Sequence, residues 1–227
     1  MDSMYEQLMV LPLFKGVSRD RISEIVGQNK FHFIKYPEQT TIIKAGERCT
    51  HITFLISGSV RSVISSRDGR FSVGQTLKAP DVFTPEYLFG RSTNYPCTVS
   101  TLETTGLLKI SKEDYMNILH TDEVFMFNFL NIISRNAQKS IDGILALTDG
   151  TMEERIAFWI ACLSQPSGQD IRLICRHRDL TTLFGVTRQS LKAALDGLKE
   201  RGMIDYTPNE IFVLNRRELI TLLTSHI

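Results

Sequence analysis

The feature that most constrains this chain is a long helix predicted near its middle. Between residues 121 and 148, apolar side chains recur at alternating steps of four and three, which is the a/d pattern of a heptad repeat. Thr121 or Asp122 is expected to cap its start. A helix of this length spans about 40 Å, more than one small domain buries. The seam residues are Met126, Leu130, Ile133, Ala137, Ile144 and Leu147.

Further apolar residues widen this stripe on one side, namely Phe125, Phe129, Ile132 and Ile141. We expect this flank to pack on a neighbouring domain, and the seam to pack on a second copy of the chain. A helix packed entirely within one monomer is the alternative.

Residues 31–110, before the helix, have the pattern of an all-β domain. Short runs of β-forming residues alternate with Gly, Pro and Asp, and Asp68-Gly69 predicts a tight hairpin turn. Strands at such regular spacing are typical of a jelly roll or barrel. The predicted strands are residues 31–36, 40–44, 52–56, 59–65, 71–77, 98–102 and 106–110.

After the helix, the pair Asp149-Gly150 predicts a domain boundary, and Thr151 with Glu154 forms a capping box that starts another helix. Two short helices are then expected around the turn Gly185-Val186-Thr187, with Leu180, Leu183 and Phe184 inward on the first. Helix, three-residue turn with Gly, and helix is the helix-turn-helix unit. Inward residues of the second helix are Leu191, Ala194, Leu195 and Leu198.

The second of these helices presents polar side chains at its exposed start. They are Arg188, Gln189, Ser190 and Lys192. Arg bonds guanine through two hydrogen bonds, and Gln suits adenine. Residues 176–192 carry four cations and one anion, a local charge of +3 that fits a phosphate-binding surface. A strand, a turn and a strand follow within 203–214, which predicts a wing.

The chain as a whole is nearly neutral, with 26 Lys and Arg against 25 Asp and Glu, a formal net charge of +1. This excludes a polycation that coats nucleic acid without specificity, but not a local basic patch. No stretch approaches the roughly 18 apolar residues of a membrane helix. The first residues lack the basic start and apolar core of a signal peptide. We therefore expect a cytoplasmic protein with no membrane partner.

Four cysteines are spaced too widely for the close pairs typical of structural zinc and iron–sulfur sites. No metal and no cofactor is identified from the sequence. A disulfide framework is not expected in a cytosolic chain. We expect four reduced, mostly packed thiols, with one redox-sensing thiol as the alternative. The cysteines are Cys49, Cys97, Cys162 and Cys175.

The order β-roll, long helix and winged helix-turn-helix resembles the Crp/Fnr family of bacterial transcription regulators over essentially the whole chain. The matching segments are 11–18, 44–47, 52–60, 179–180, 185–191 and 198–204. The resemblance implies an α+β fold with three parts. These are a cyclic-nucleotide-binding-like double-stranded β-helix (1–120), a dimerisation helix (121–148) and a winged helix-turn-helix (149–227).

The resemblance also implies a homodimer that binds a two-fold site on double-stranded DNA and recruits or blocks RNA polymerase. An effector in the roll would reposition the recognition helices through the long helix. By position, Arg188 and Gln189 match the family's base-contacting residues, with Ser190 and Lys192 alongside. Thr187 would cap the helix and contact phosphate, and His177 and Arg178 would contact phosphate too.

The expected effector pocket departs from the family pattern. Members that bind cyclic AMP hold its phosphate with an Arg-Ser pair, and Tyr95-Pro96 stands roughly at that place. Glu86 stands near the family's Glu, and Arg91 could substitute as the cation only if its loop folds inward. A buried phosphate needs a cation or several N–H donors. The predicted pocket residues are Glu86, Leu88, Arg91, Tyr95, Cys97 and Ser140.

We therefore predict a DNA-binding transcription regulator, not an enzyme, that responds to a small effector other than cyclic AMP. The alternative is an apo-active regulator whose roll is only a dimerisation scaffold. A cupin-like enzyme would need a His and Glu ligand cluster, and His32 and His51 lack H-x-H spacing. A third possibility is a regulatory scaffold with a repurposed helix-turn-helix.

Overall fold

The computed structural model describes residues 2–145, 148 and 150–224. The chain divides into two compact units, the first formed by residues up to 62 with 77–136, the second by 63–76 with the residues from 137 onward. This division differs from the boundaries expected after residues 120 and 148. It falls inside the long helix, and it gives the hairpin segment 63–76 to the second unit. Among the described residues, no helix is long and apolar enough to cross a membrane.

Helices α1 (Asp2–Met9), α2 (Arg19–Gln28) and α3 (Lys112–Thr121) belong to the first unit, together with a 3-10 turn at Pro12–Phe14. Serine hydroxyls cap the last two helices: Ser18 accepts the N–H of Arg21 at 3.3 Å, and Ser111 accepts that of Asp114 at 3.0 Å. Each cap satisfies a backbone donor that the first helical turn leaves unpaired.

Eight strands lie between α2 and α3 along the chain. They are β1 (Phe31–Tyr36), β2 (Thr41–Ile43), β3 (His51–Ser57), β4 (Ser59–Ser65), β5 (Ser72–Lys78), β6 (Asp81–Phe83), β7 (Cys97–Thr101) and β8 (Thr105–Ser111). One antiparallel sheet has the order β1-β8-β3-β6, and β2 pairs with β7. The seven predicted strands are present within a few residues. Strand β6 was not predicted, because three residues beside Pro80 give no readable alternation.

Aromatic packing centres the core of the first unit on Phe14. Its ring meets those of Phe31, Phe54 and Phe125 edge-on, with centroids 6.3, 5.5 and 4.8 Å apart. These contacts join the N-terminal turn to strands β1 and β3 and to the long helix α4 (Glu123–Leu145). The helix begins where the predicted cap Asp122 accepts the N–H groups of Val124 and Phe125, at 3.0 and 3.1 Å.

Helix α4 is apolar on two faces, as the heptad pattern predicts. Phe125 is buried, and Phe129 and Ile132 pack against the same core. Ile141, expected on that flank, is instead 60% exposed. This correction arises because α4 continues past the residues that meet the first unit's core. The seam residue Leu147 and the boundary residue Asp149 lie outside the described residues.

The second unit contains α5 (Met152–Leu163), β9 (Gln169–Ile174), α6 (His177–Phe184), α7 (Arg188–Glu200), β10 (Ile204–Thr207), β11 (Glu210–Val213) and α8 (Arg216–Thr224). The predicted capping box of Thr151 and Glu154 is present at the start of α5. Strands β10, β11, β9 and β5 are neighbours in that order, all antiparallel. Strand β9 was not predicted, although Ile171 and Leu173 alternate into the core.

Candidate nucleic-acid interface

Two short helices, α6 and α7, meet at the predicted turn. Gly185 ends α6 with a φ of +65°, a conformation that glycine adopts without strain, and its N–H donates to the carbonyl of Thr181. Two residues later, the hydroxyl of Thr187 accepts the N–H of Ser190 at 3.1 Å and caps α7. The cap predicted from the sequence is therefore present, and the two helices form a helix-turn-helix.

The inner face of α7 is buried as expected, through Leu191, Ala194, Leu195 and Leu198. Leu183 of α6 was expected inward and is 39% exposed. Eight residues make only two helical turns, and Leu180 and Phe184 already fill the inner positions four residues apart.

Arg155 of α5 fixes the end of α6 in place. Its Nη2 donates to the carbonyl of Phe184 at 2.6 Å, and its guanidinium lies over the Phe184 ring, 5.5 Å from the centroid. The same ring meets that of Trp159 edge-on at 5.7 Å. These contacts hold the turn before α7 against the core of the unit.

The start of α7 faces solvent and carries the polar side chains predicted to contact bases. We call them the recognition row: Arg188, Gln189, Ser190 and Lys192, all exposed. Thr187, immediately before the row, is exposed as well. Because the capped N-terminus of a helix carries partial positive charge, the row and its backbone favour an anionic partner.

Additional cations flank the row at the start of α6. Arg178 is exposed and His177 is half-buried, with its ring 5.5 Å from that of Tyr206. Arg176 donates from Nε to the Asp179 carboxylate at 2.8 Å, and this hydrogen bond lowers the pKa of Asp179. The anion in the predicted basic segment is thus paired with Arg176. Arg178, Arg188 and Lys192 remain as exposed cations of that segment.

The C-terminal half of α7 is tied to the wing. The hydroxyl of Tyr206 donates to Asp196, which raises the pKa of Tyr206 to about 12. Lys199 and Asp205 form an ion pair at 2.7 Å. Both pairs join α7 to β10, the first strand of the wing.

The predicted effector residues occupy different environments. Leu88, Tyr95 and Cys97 are buried in the core of the first unit, and Tyr95 donates its hydroxyl hydrogen to the carbonyl of His51 at 3.3 Å. Glu86 accepts a hydrogen bond from Asn136 of α4 at 3.0 Å. Arg91 is exposed, and so is Ser140, which belongs to the second unit.

The four thiols fit the expectation of packed cysteines: Cys49, Cys97 and Cys175 are buried and Cys162 is half-buried. Burial raises the pKa of each, that of Cys175 to about 12. A raised pKa disfavours the thiolate, which is the reactive form. Among the described residues, no group of three or more His, Cys, Asp or Glu side chains could hold a metal ion.

Fold and surface together define a class of protein in which a β-roll and a helix-turn-helix are parts of one chain. Residues 33–122 match the family model of the cyclic nucleotide-binding domain, and residues 154–222 match that of the Crp-like helix-turn-helix domain. The two models together cover more than half of the chain. The chain belongs to the Crp/Fnr family and is a DNA-binding transcription regulator.

Curated relatives are transcription regulators rather than enzymes. The chain is 25% identical over 202 residues to the cAMP-activated global transcriptional regulator Vfr of Pseudomonas aeruginosa, covering 82% of this chain and 91% of that protein. It is 24% identical to the regulator CRP of Haemophilus influenzae, covering 82% and 85%. The catabolite activator protein of Thermus thermophilus has a similar fold, with a TM-score of 0.54 at 20% identity, over 95% of this chain and all of that one. The predicted fold class is thereby confirmed.

Proposed function

We propose that two copies of this chain bind a two-fold site on double-stranded DNA, each through the recognition row on α7. The supporting observation is the exposed, capped start of α7, where Arg188 and Gln189 stand beside the phosphate-contacting candidates Thr187, His177 and Arg178. Arg188 contacts guanine and Gln189 adenine, with Ser190 and Lys192 alongside. The DNA-bound dimer would also contact RNA polymerase. The protein would act in the cytoplasm.

The second copy is expected to pack along α4. Large apolar side chains remain exposed on this helix, and their burial would supply most of the free energy of association. Ile133 is half-buried and Ala137 exposed on the same seam. The large exposed residues are Val124, Met126, Phe127, Leu130, Ile141, Ile144 and Leu145.

The effector of the roll is a small molecule other than cyclic AMP, although relatives of this chain are described as cAMP-activated. Tyr95 and Cys97 occupy buried positions where an anionic phosphate would need a cation, and the side chain of Arg91 is exposed. A phosphate buried beside Tyr95 would lose its hydration, and no cation would offset that loss. Titration calorimetry with cyclic AMP should give no binding, and micromolar affinity would contradict the proposal.

An apo-active regulator is the second candidate. It is favoured by the roll's own side chains filling the positions expected for a ligand: Leu88 is fully buried, and the Glu86 carboxylate is already paired with Asn136. In this case the roll serves only as a scaffold for the dimer.

Selection of bound duplexes from a random pool by the purified, ligand-free protein tests the function. An inverted repeat with half-sites about one helical turn apart is the expected result for a dimer that needs no effector. If no sequence is enriched, the selection is repeated with small molecules from a cell extract. Enrichment in the second selection alone supports an effector-dependent regulator. If neither selection enriches a sequence, the result contradicts the proposed DNA binding.

A further inference from the structure

The end of the hairpin formed by β4 and β5 extends the sheet of the winged helix. We call residues 63–76 the hairpin tip; all of them belong to the second unit. Ser72, Val73 and Gly74 of β5 lie opposite Ile174, Leu173 and Arg172 of β9. Wing strand β11 pairs with the other edge of β9. The winged helix therefore has a fourth strand that its own continuous sequence does not supply.

Packing and hydrogen bonding show that the hairpin tip is an integral part of this unit. Val73 is buried in the core of the unit, and Phe71 meets Trp159 edge-on at 6.1 Å. The buried side chain of Gln75 accepts the N–H of Gln165 through Oε1 at 2.7 Å. A buried amide held in this way costs free energy to release, because its partner would be left unsatisfied.

Strand register brings two turns to the same end of the sheet. Ser72, Ile174 and Glu210 lie in one row across β5, β9 and β11. Beyond this row, the turn 68–70 of the hairpin tip lies on one side of the β9–α6 connection, and the wing turn lies on the other. Asn209 of the wing turn accepts the N–H of Cys175 at 2.8 Å. A groove of about 360 Å³ runs between the turns, lined by Gly69, Arg70, Ile174, Cys175, Arg176 and Asn209.

This end of the sheet is positively charged. Arg67 and Arg70 of the hairpin tip, and Arg176 and Arg178 beside it, are all exposed. Three carboxylates lie at this end as well: Asp68, Asp179 and Glu210, the last paired with Arg172 at 2.6 Å. With Arg172 included, five guanidinium groups and three carboxylates leave a net charge of +2.

The turn of the hairpin tip is well ordered by its own hydrogen bonds. The Asp68 carboxylate accepts from the Ser66 hydroxyl at 2.7 Å and from the Arg70 N–H at 3.1 Å, and it also pairs with the Arg70 guanidinium. These bonds lower the pKa of Asp68 to about 2. These bonds favour one backbone conformation for the turn that carries the two arginines.

We propose that the hairpin tip is a second wing, whose Arg67 and Arg70 contact phosphates of the DNA backbone beside the site contacted by α7. This inference rests on the proposed DNA binding. The partner is DNA because the charged sheet end is continuous with the start of α6, where His177 and Arg178 are the phosphate-contacting candidates. Guanidinium groups match phosphate geometry and supply affinity without base selectivity.

The test compares the full-length protein with the double variant Arg67→Gln/Arg70→Gln on duplexes that carry the selected site with long or with minimal flanks. On the long duplex the variant should bind more weakly on every sequence. Its slope of log affinity against log salt should fall by about 0.9 for each phosphate that the variant no longer neutralises. On the minimal duplex, the two proteins should bind alike.

Arg217→Gln is the matched control, since Arg217 is exposed on α8 and does not line the groove. It should leave both affinity and salt slope unchanged. Asp68→Asn gives the opposite test: it removes one negative charge while keeping an oxygen acceptor for Ser66, so the affinity for the long duplex should rise. The double variant should keep nearly the wild-type melting temperature, because exposed ion pairs contribute little to stability. Asp68→Asn should lower the melting temperature slightly, since the lowered pKa of Asp68 shows that its carboxylate stabilises the fold at neutral pH.

If the double variant has the same salt slope and affinity as the wild-type protein, the hairpin tip is not a second wing, and the proposed function is unaffected. In that case the exposed arginines would contact a protein partner and not DNA. If the wild-type protein itself selects no sequence with or without extract, the proposed function fails first.

Discussion

The recognition row on α7 and the candidate pocket in the roll are both proposed binding regions, but their side chains are held in opposite ways. Every member of the row is exposed, and neighbouring positions on the same helix are buried. In the roll, Leu88, Tyr95 and Cys97 are themselves part of the core. A change in the row should therefore alter binding without altering the fold, whereas a change in the pocket alters both. The predictions below test this separation, starting from the buried face of α7.

Replacing Leu195 by Ala should have the largest effect. The side chain is fully buried, and its truncation leaves a cavity, so the free energy of unfolding should fall by about 3 kcal/mol. Urea unfolding followed by the fluorescence of Trp159, the single tryptophan, measures this unit. Leu214→Ala is the control, because Leu214 is 64% exposed. A loss at Leu195 no greater than that of the control would contradict the buried face of α7.

Substitutions on the exposed side should affect DNA affinity instead. Arg188→Ala should cost about 1–3 kcal/mol of binding free energy and relax the choice of base at one position. Arg178→Ala should weaken binding on all sequences alike and reduce the salt slope by about 1. Duplex selection and salt titration with both variants distinguish the two roles. Unchanged selectivity in the Arg188 variant would remove this residue from the recognition row.

A smaller effect is expected at the junction of the two faces. Thr187→Ala removes the hydroxyl that accepts the Ser190 N–H, and the unfolding free energy should fall by about 1 kcal/mol. Thr187→Ser keeps the hydroxyl and should retain most of the stability. The same unfolding assay compares the three proteins, and equal stability of the Ala and Ser variants would argue against the cap.

The smallest effect is a pH dependence from Asp179. The hydrogen bond from Arg176 lowers the folded-state pKa of Asp179. The Asp179 carboxylate therefore stabilises the fold fully above its unfolded pKa, near 4, and this stabilisation is lost as pH falls through the folded pKa. Wild-type protein should therefore exceed Asp179→Asn in stability at neutral pH, and the difference should shrink below about pH 4. A difference that stays constant with pH would assign the effect to packing alone.

Short-range rules account for what could be predicted from the sequence. The cap at Thr187, the glycine at position 185 and the capping box at Thr151 each involve residues within a few positions of one another. Of the large exposed residues of α4, the heptad pattern placed Met126, Leu130 and Ile144 on the seam, but it did not predict Phe127 or Leu145 and it placed Ile141 on the packed flank. These features determined the helix-turn-helix and most of the recognition row before any long-range contact was known.

Long-range pairing accounts for the rest. Ile171 and Leu173 alternate inward on β9, but the strand was not predicted, since its partner β5 is far away in the sequence. Ranges 59–65 and 71–77 were predicted as strands of the roll, and nothing within them indicates that their shared tip joins the other unit. Similarly, no local pattern announces the pairing of Glu86 with Asn136.

Because the hairpin tip completes the sheet, the winged-helix unit is discontinuous along the chain. A fragment that starts at residue 137 lacks β5, and the backbone N–H and C=O groups of β9 that face it would become an unpaired edge. Such an edge is a template for pairing between chains. We expect an excised C-terminal fragment to self-associate, and we expect its solubility to return when residues 63–76 are grafted back as a tethered strand.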